Sequence, residues 1–277
     1  MDIAGRVVVV TGGAGGIGKA LCTAFAEAGA RGVVVADVDG DGAARVAEAL
    51  VAAGHDARGI RCDVSVEADT VAAVAEAESA WGPVDIFCAN AGIVVPGGVE
   101  VPDADWDRIW GVNVQSHIYA ARAVLPAMLA RGEGYLIHTA SAAGLLTQIG
   151  SAPYAVTKHA AVALAEWLSI TYADAGLTVS CLCPQGVWTA MTGAPAEADG
   201  ADAESLDRQF AESTAGRDGM LLPADVARTV IEAVGDERFL ILPHPVVAEY
   251  EVRRATDRER WLRGMRKVQA QVFGTAD

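Results

Sequence analysis

Tyr154 and Lys158 stand four residues apart in Pro153-Tyr154-Ala155-Val156-Thr157-Lys158, at the start of a segment of helical period. That spacing puts both side chains on one helix face. An ammonium beside a phenol favours the phenolate, so the pair predicts a Tyr154 pKa drawn down from about 10 toward neutral pH. A phenol tuned in this way can take a proton from an alcohol. An inert surface aromatic–cation pair has the same spacing, so the pair carries weight only in company. Ser141 lies thirteen residues before Tyr154, at the end of an apolar run that reads Thr139-Ala140-Ser141-Ala142-Ala143-Gly144. His138 and His159 adjoin these residues. His138 falls on a predicted strand, and His159 points about 100° away from Lys158 around the helix, so neither reads as the base.

A second constellation opens the chain. An apolar run at 7–10 leads into Thr11-Gly12-Gly13-Ala14-Gly15-Gly16-Ile17-Gly18, then into a helix with Ala20, Leu21, Ala24, Phe25 and Ala28 on one side. Glycines between a strand and a helix permit a tight turn, a close approach of backbone to a pyrophosphate, and close packing of helix on strand. The phosphates would sit on the free N–H groups of the helix start, at the positive end of its dipole. Two registers fit: Gly13, Gly15 and Gly18 satisfy GxGxxG, while Thr11, Gly12, Gly16 and Gly18 satisfy TGxxxGxG. The second strand ends in Ala36-Asp37-Val38-Asp39, about twenty residues on, where Asp37 can accept hydrogen bonds from the adenosine ribose. A 2′-phosphate there would meet Asp37 head-on with no Arg or Lys at 13–15 to compensate, which predicts NAD rather than NADP. Asp39 is the better candidate for a helix cap.

The elements that must position these residues are legible in the hydropathy pattern. Apolar runs at 7–10, 33–36, 59–62, 84–88, 135–139, 178–183 and 239–242 are continuous rather than alternating, the pattern of strands buried on both faces. Helical period marks 17–28, 41–53, 67–81, 106–130, 152–175 and 223–234, and Gly29, Gly54, Gly82, Gly132 and Gly176 stand where left-handed caps belong. Seven strands alternating with helices predict an α/β, doubly wound Rossmann-type parallel sheet with helices on both faces, in a single domain. The catalytic domain is expected over 1–243. Within it, 190–222 carries seven acids against two arginines and reads as a mobile substrate lid. The extension 244–277 repeats Trp261, Met265, Val268 and Val272 at helical spacing among seven basic residues. It predicts an amphipathic helix packed on the body or on a neighbouring subunit.

Taken together, the glycine loop, Ser141, Tyr154 and Lys158 resemble the short-chain dehydrogenase/reductase family, in its branch with subunits of about 250 residues. Further motifs match over roughly 5–243. Cys62-Asp63-Val64 looks like the family's adenine contact, Asn90-Ala91-Gly92 like the backbone packed on the cofactor, and Val112-Asn113-Val114 like the segment of the catalytic Asn. Pro184-Gln185-Gly186-Val187-Trp188-Thr189 is similar to the loop that touches the nicotinamide amide. The resemblance implies a cofactor site of Gly12, Gly16, Ile17, Gly18, Asp37, Asp63, Val64, Asn90, Ala91, Gly92, Tyr154, Lys158, Pro184, Gly186, Val187 and Thr189. It implies that Tyr154 moves the hydroxyl proton, Lys158 lowers the Tyr154 pKa and holds the nicotinamide ribose, and Ser141 stabilises the reacting oxygen. Asn113 would perturb its helix and hold a water linking Lys158 to solvent. The chain departs from the pattern at Gln115-Ser116-His117, where a small residue is usual soon after the Asn, and at Gln185, where many members have Gly.

Composition narrows the rest. Of the 277 residues, 52% are hydrophobic, and the formal charge of −15 opposes nucleic acid or an anionic membrane as main partner. No apolar stretch reaches the ~18 residues of a membrane span, and the N-terminus lacks a signal-peptide layout, so the expected location is cytoplasmic. Cys22, Cys62, Cys88, Cys181 and Cys183 lie in apolar runs and read as buried small hydrophobes; no metal site is predicted. Val94, Val95, Leu145, Leu146, Trp188, Met191, Met220 and Leu221, with Gln148, are candidates for a mostly apolar substrate cleft. The expected reaction is hydride transfer between NAD(H) and a hydrophobic secondary alcohol or ketone. An NADPH-linked carbonyl reductase and a non-catalytic NAD-binding sensor or scaffold are the alternatives. The family commonly assembles through the helices that carry Asn113 and Tyr154. Their many alanines and surplus apolar residues predict a homotetramer, with a dimer second.

Overall fold

The computed structural model describes residues 1–193, 216 and 218–274. Seven strands form one parallel sheet in the order β3-β2-β1-β4-β5-β6-β7. They are β1 (Val7–Thr11), β2 (Gly32–Asp37), β3 (Ala57–Arg61), β4 (Ile86–Ala89), β5 (Gly134–Thr139), β6 (Leu177–Leu182) and β7 (Leu240–Ile241). The strand order reverses between β1 and β4, which places the ligand crevice of an open α/β sheet at their carboxyl ends. Along β1, Val8 and Val10 pack with α1 (Gly16–Glu27), α2 (Gly40–Ala52) and α8 (Pro223–Gly235). Val7 and Val9 point to the other face, under α3 (Glu67–Trp81), α5 (Ser116–Arg131) and α7 (Ala152–Tyr172). Each face therefore has its own apolar layer, and burying a residue such as Leu21 or Phe25 stabilises the fold by ~1.5–3 kcal/mol.

The continuous-run pattern holds for the central strands, which are buried throughout, but not for β3. That strand is the sheet edge, and exposed Arg58, Gly59 and Arg61 alternate there with half-buried Ala57 and Ile60. All five glycines expected as caps have positive φ, between 69° and 98°. The five cysteines are free and buried. Among the described residues no helix is long and apolar enough to cross a membrane.

Three expectations change. The helix expected over 106–130 is broken: α4 (Asp103–Trp110) passes through a π-turn at Gly111–Gln115 before α5 begins. A short α6 (Ala142–Leu146) follows Ser141; five residues are too few to show periodicity. The tail is two helices rather than one, α9 (Val246–Thr256) and α10 (Arg258–Val272), divided at Asp257, whose carboxylate accepts from the Arg260 N–H. Of the expected lid, 194–215 and 217 lie outside the described residues.

Candidate active site

The glycine loop takes the TGxxxGxG register. Gly12 and Gly16 have φ of +68° and +50°, and a Cβ on Gly18 would stand 1.9 Å from the Gly12 carbonyl oxygen. Of the other two glycines, a Cβ on Gly13 would meet Val35 at 2.7 Å, while Gly15 has open space around it. α1 starts without a side-chain cap, which leaves the N–H groups of its first turn to an anion. Thr189 lies over the loop: a Cβ on Gly16 would approach its methyl to 3.0 Å. The segment after β6 and the loop after β1 thus meet.

Asp37 ends β2 with one carboxylate oxygen accepting from the Ala14 N–H at 3.0 Å and the other from the Asp39 N–H at 3.0 Å. The carboxylate is pinned at the rim of the glycine loop. Arg61, opposite Asp37 across the ladder, sends its guanidinium to Asp69 instead. Asp39 caps α2 through Gly42, as expected. Asp63 accepts from the Ser65 N–H and hydroxyl in the turn before α3, and Val64 beside it is buried.

Asn90 and Thr11 knit the sheet ends together. The Thr11 hydroxyl accepts from the N–H groups of Asn90 and Ala91, while the Asn90 amide donates to the Thr11 carbonyl and accepts from Thr139. Gly92 borders the catalytic side chains: a Cβ there would lie 3.3 Å from Lys158 Nζ and 3.4 Å from Asn113 Oδ1. Asn113 sits at the centre of the π-turn, fully buried. Its amide accepts from the Ile93 N–H at 2.8 Å and donates to the Ile93 carbonyl and to Thr157. The expected perturbation of the helix is therefore present.

Ser141 caps α6, accepting from the Ala143 N–H at 3.1 Å, and its hydroxyl donates over 3.4 Å to the Pro184 carbonyl. Its proximity to the Tyr154 hydroxyl favours the phenolate. Tyr154 follows the cap of α7, where Ser151 accepts its N–H. Lys158 Nζ lies 5.7 Å from the centre of the Tyr154 ring. Ser141, Tyr154 and Lys158 thus come together, with Asn113 behind them. The protonation picture differs from expectation. Burial pushes the Tyr154 phenol up, with the neighbouring Ser141 hydroxyl opposing, and pushes Lys158 down to about 8. Lys158 Nζ donates at 2.8 Å to the Thr139 carbonyl. Sequence reasoning weighed the mutual charge but had no measure of how dry the pair is.

A cavity of about 700 Å³ opens at Ser141, lined on that side by Ala142, Leu146 and Gln148. Of the apolar cleft candidates only Leu146 is among its lining residues. Val95, Leu145, Trp188 and Met220 are buried in the body, and Val94 and Met191 are exposed. Leu221 instead hydrogen-bonds the loop after β6 through Gly186 and Trp188.

A buried histidine pair lies outside the expected site. His117 and His138, both fully buried, bring their Nδ1 atoms to 2.9 Å. Such a contact needs one N–H and one lone pair, so the rings are neutral and of opposite tautomers. Their Nε2 atoms have no partner among the described residues. Burial pushes both pKa values down, His138 to about 4. Unfolded histidines near 6.5 bind protons that the folded pair refuses. The pair's stabilisation is thus complete above about pH 6.5 and is lost as pH falls toward 4. Two protons give a slope approaching about 2.7 kcal/mol per pH unit. Urea midpoints are expected to fall steeply over that window and to flatten in His117→Leu/His138→Leu, which removes both polar partners at once. A wild-type midpoint as flat as the variant's would contradict this.

Comparison with known proteins agrees with the geometry. Residues 6–199 match the family model for short chain dehydrogenase. A 1-deoxy-11-beta-hydroxypentalenate dehydrogenase of Streptomyces exfoliatus is 39% identical over 246 residues, covering 87% of this chain and 84% of the relative. A 2-(S)-hydroxypropyl-CoM dehydrogenase 3 of Xanthobacter autotrophicus is 35% identical, covering 84% and 90%. Among solved structures, a short chain dehydrogenase/reductase from Burkholderia phymatum in complex with NAD superposes with a TM-score of 0.82 at 36% identity, covering 94% of this chain and 96% of that one. With the family match spanning most of the chain and the seven-stranded parallel sheet in place, the chain belongs to the short-chain dehydrogenase family.

Proposed function

We propose that this chain transfers a hydride between NAD(H) and a hydrophobic secondary alcohol or its ketone. The observation that carries the reading is the convergence of Ser141, Tyr154 and Lys158, with Ser141 itself lining a largely apolar cavity. Tyr154 takes the hydroxyl proton from the alcohol. Ser141 turns its weak bond from the Pro184 carbonyl to the reacting oxygen and stabilises the charge that develops there. Lys158, which donates to the Thr139 carbonyl, would hold the nicotinamide ribose, and Asn113 would hold the water that links Lys158 to solvent. Bound oxidised nicotinamide supplies the hydride acceptor and a positive charge that offsets the upward push of burial on Tyr154. NAD is favoured over NADP by the pinned Asp37 carboxylate. The NAD complex of the Burkholderia relative and the alcohol dehydrogenases among the relatives support the same reading. Formation of NADH from a panel of secondary alcohols tests it; tight NAD binding with no turnover on any of them would favour a sensor.

Assembly as a homotetramer belongs to the same proposal. On α7, Trp167 and Ile170 are 55% and 83% exposed, apolar surface that a symmetric neighbour would cover. Sedimentation equilibrium at micromolar concentration is expected to give about four times 28.5 kDa, and a single species at the monomer mass would contradict it.

A further inference from the structure

Much of the remaining cavity lining is built from the tail. Tyr250 of α9 and Trp261, Gly264, Met265 and Val268 of α10 line it, with the charged Arg253, Asp257 and Arg260 beside them. α10 has no fully buried residue, and its apolar stripe of Trp261, Met265 and Val268 is only half-buried. The stripe that reads in sequence as a packing face is therefore in large part a cavity face. The tail is also latched to the body. Asp218 accepts from the Tyr250 hydroxyl at 2.8 Å and from Gln185 Nε2 at 2.8 Å. The Gln185 N–H donates to His244 Nδ1 at 3.3 Å. Gln185 is the residue that departs from the family pattern beside the nicotinamide loop, and here it fastens that loop to the tail. Tyr250 and Trp261 close the arrangement with ring centres 6.2 Å apart.

We infer that α9 and α10 form the specificity wall of the substrate cavity, and that it selects rigid, ring-bearing secondary alcohols and ketones over short acyclic ones. The inference rests on the alcohol–ketone reading above for its substrate chemistry. A cavity of about 700 Å³ lies in the range that encloses ligands of many atoms. A short alcohol held at Ser141 leaves the tail wall wet, whereas a fused-ring molecule reaches it and buries apolar surface along Trp261, Met265 and Val268. A rigid ring system also loses little conformational freedom on binding.

Gly264 offers a test that spares the fold. It lines the cavity on a helix, and a Cβ built there meets no atom within 4 Å. Gly264→Leu therefore fills ligand space while favouring the helix. The bicyclic ketone 2-decalone is titrated by calorimetry into the full-length chain with NAD, a combination in which no hydride can pass. Gly264→Leu is expected to weaken 2-decalone binding about tenfold or more while leaving NAD affinity unchanged. Trp261→Ala is expected to weaken 2-decalone binding as well. Unchanged 2-decalone binding in Gly264→Leu, an equal loss for NAD, or no binding to the wild type would overturn the inference. Oxidation of 2-decalol by the wild type is scored separately. Tight 2-decalone binding that responds to Gly264→Leu without any NADH from alcohols would sink the catalytic reading and leave the wall standing.

Discussion

Tyr154→Phe is expected to lower kcat by about 10²–10⁴-fold while changing NAD affinity little. Among the described residues, the phenolic oxygen is the group at Ser141 placed to receive the alcohol proton at the moment the hydride departs. Lys158 is already donating to the Thr139 carbonyl, and His138 is paired with His117. Phe keeps the ring volume against Lys158, and the glycine loop that grips the pyrophosphate is elsewhere, at the start of α1. Because burial holds the phenol up, wild-type oxidation is expected to accelerate with rising pH as the phenolate forms, and Tyr154→Phe should lose that dependence. Steady-state kinetics with a secondary alcohol, with NAD affinity measured alongside by fluorescence titration, reads both quantities. Retention of more than about a tenth of kcat would remove Tyr154 from the role of essential base.

The double change Asp37→Ala with Val38→Arg is expected to move the NAD:NADP ratio of kcat/KM toward NADP by about 10²-fold or more, the equivalent of roughly 3 kcal/mol. Asp37 is held by the Ala14 and Asp39 N–H groups, so its charge cannot swing away from an incoming 2′-phosphate. Removing it ends that repulsion. Val38 is 61% exposed beside it, and an arginine there gains a phosphate partner without displacing any core contact. A wild type that already prefers NADP in kcat/KM would show that the reading of the second strand is wrong.

How much of this was legible in the sequence depended on whether the signal was local. The glycine loop, Ser141, Tyr154 and Lys158 announce themselves because strand, turn and helix lie in one short stretch and fix one another. The bounds of α3 were read in full from period and flanking residues. The sheet followed from alternation of runs, although periodicity did not distinguish the exposed edge strand β3 from the buried ones. A perturbed helix at Asn113 is expected only through the family resemblance, since the bond from Ile93 to its amide is tertiary and leaves no local signal. The upward push on Tyr154, the His117–His138 pair and the Asp218 latch are all effects of burial or of residues distant in the chain. Trp261, Met265 and Val268 were visible as a stripe; what they face was not, because periodicity shows that a face is apolar and not whether a core or a ligand covers it.

The central claim is that a hydride leaves the carbinol carbon of a secondary alcohol for the nicotinamide of NAD while Tyr154 takes the hydroxyl proton. The most direct measurement incubates the wild-type chain with NAD and secondary alcohols that carry deuterium at the carbinol carbon, then weighs the reduced cofactor by mass spectrometry. The account predicts NADH in which deuterium replaces one hydrogen, formed far more slowly by Tyr154→Phe. Absence of reduced cofactor across the panel, or NADH formed without the label, would contradict it.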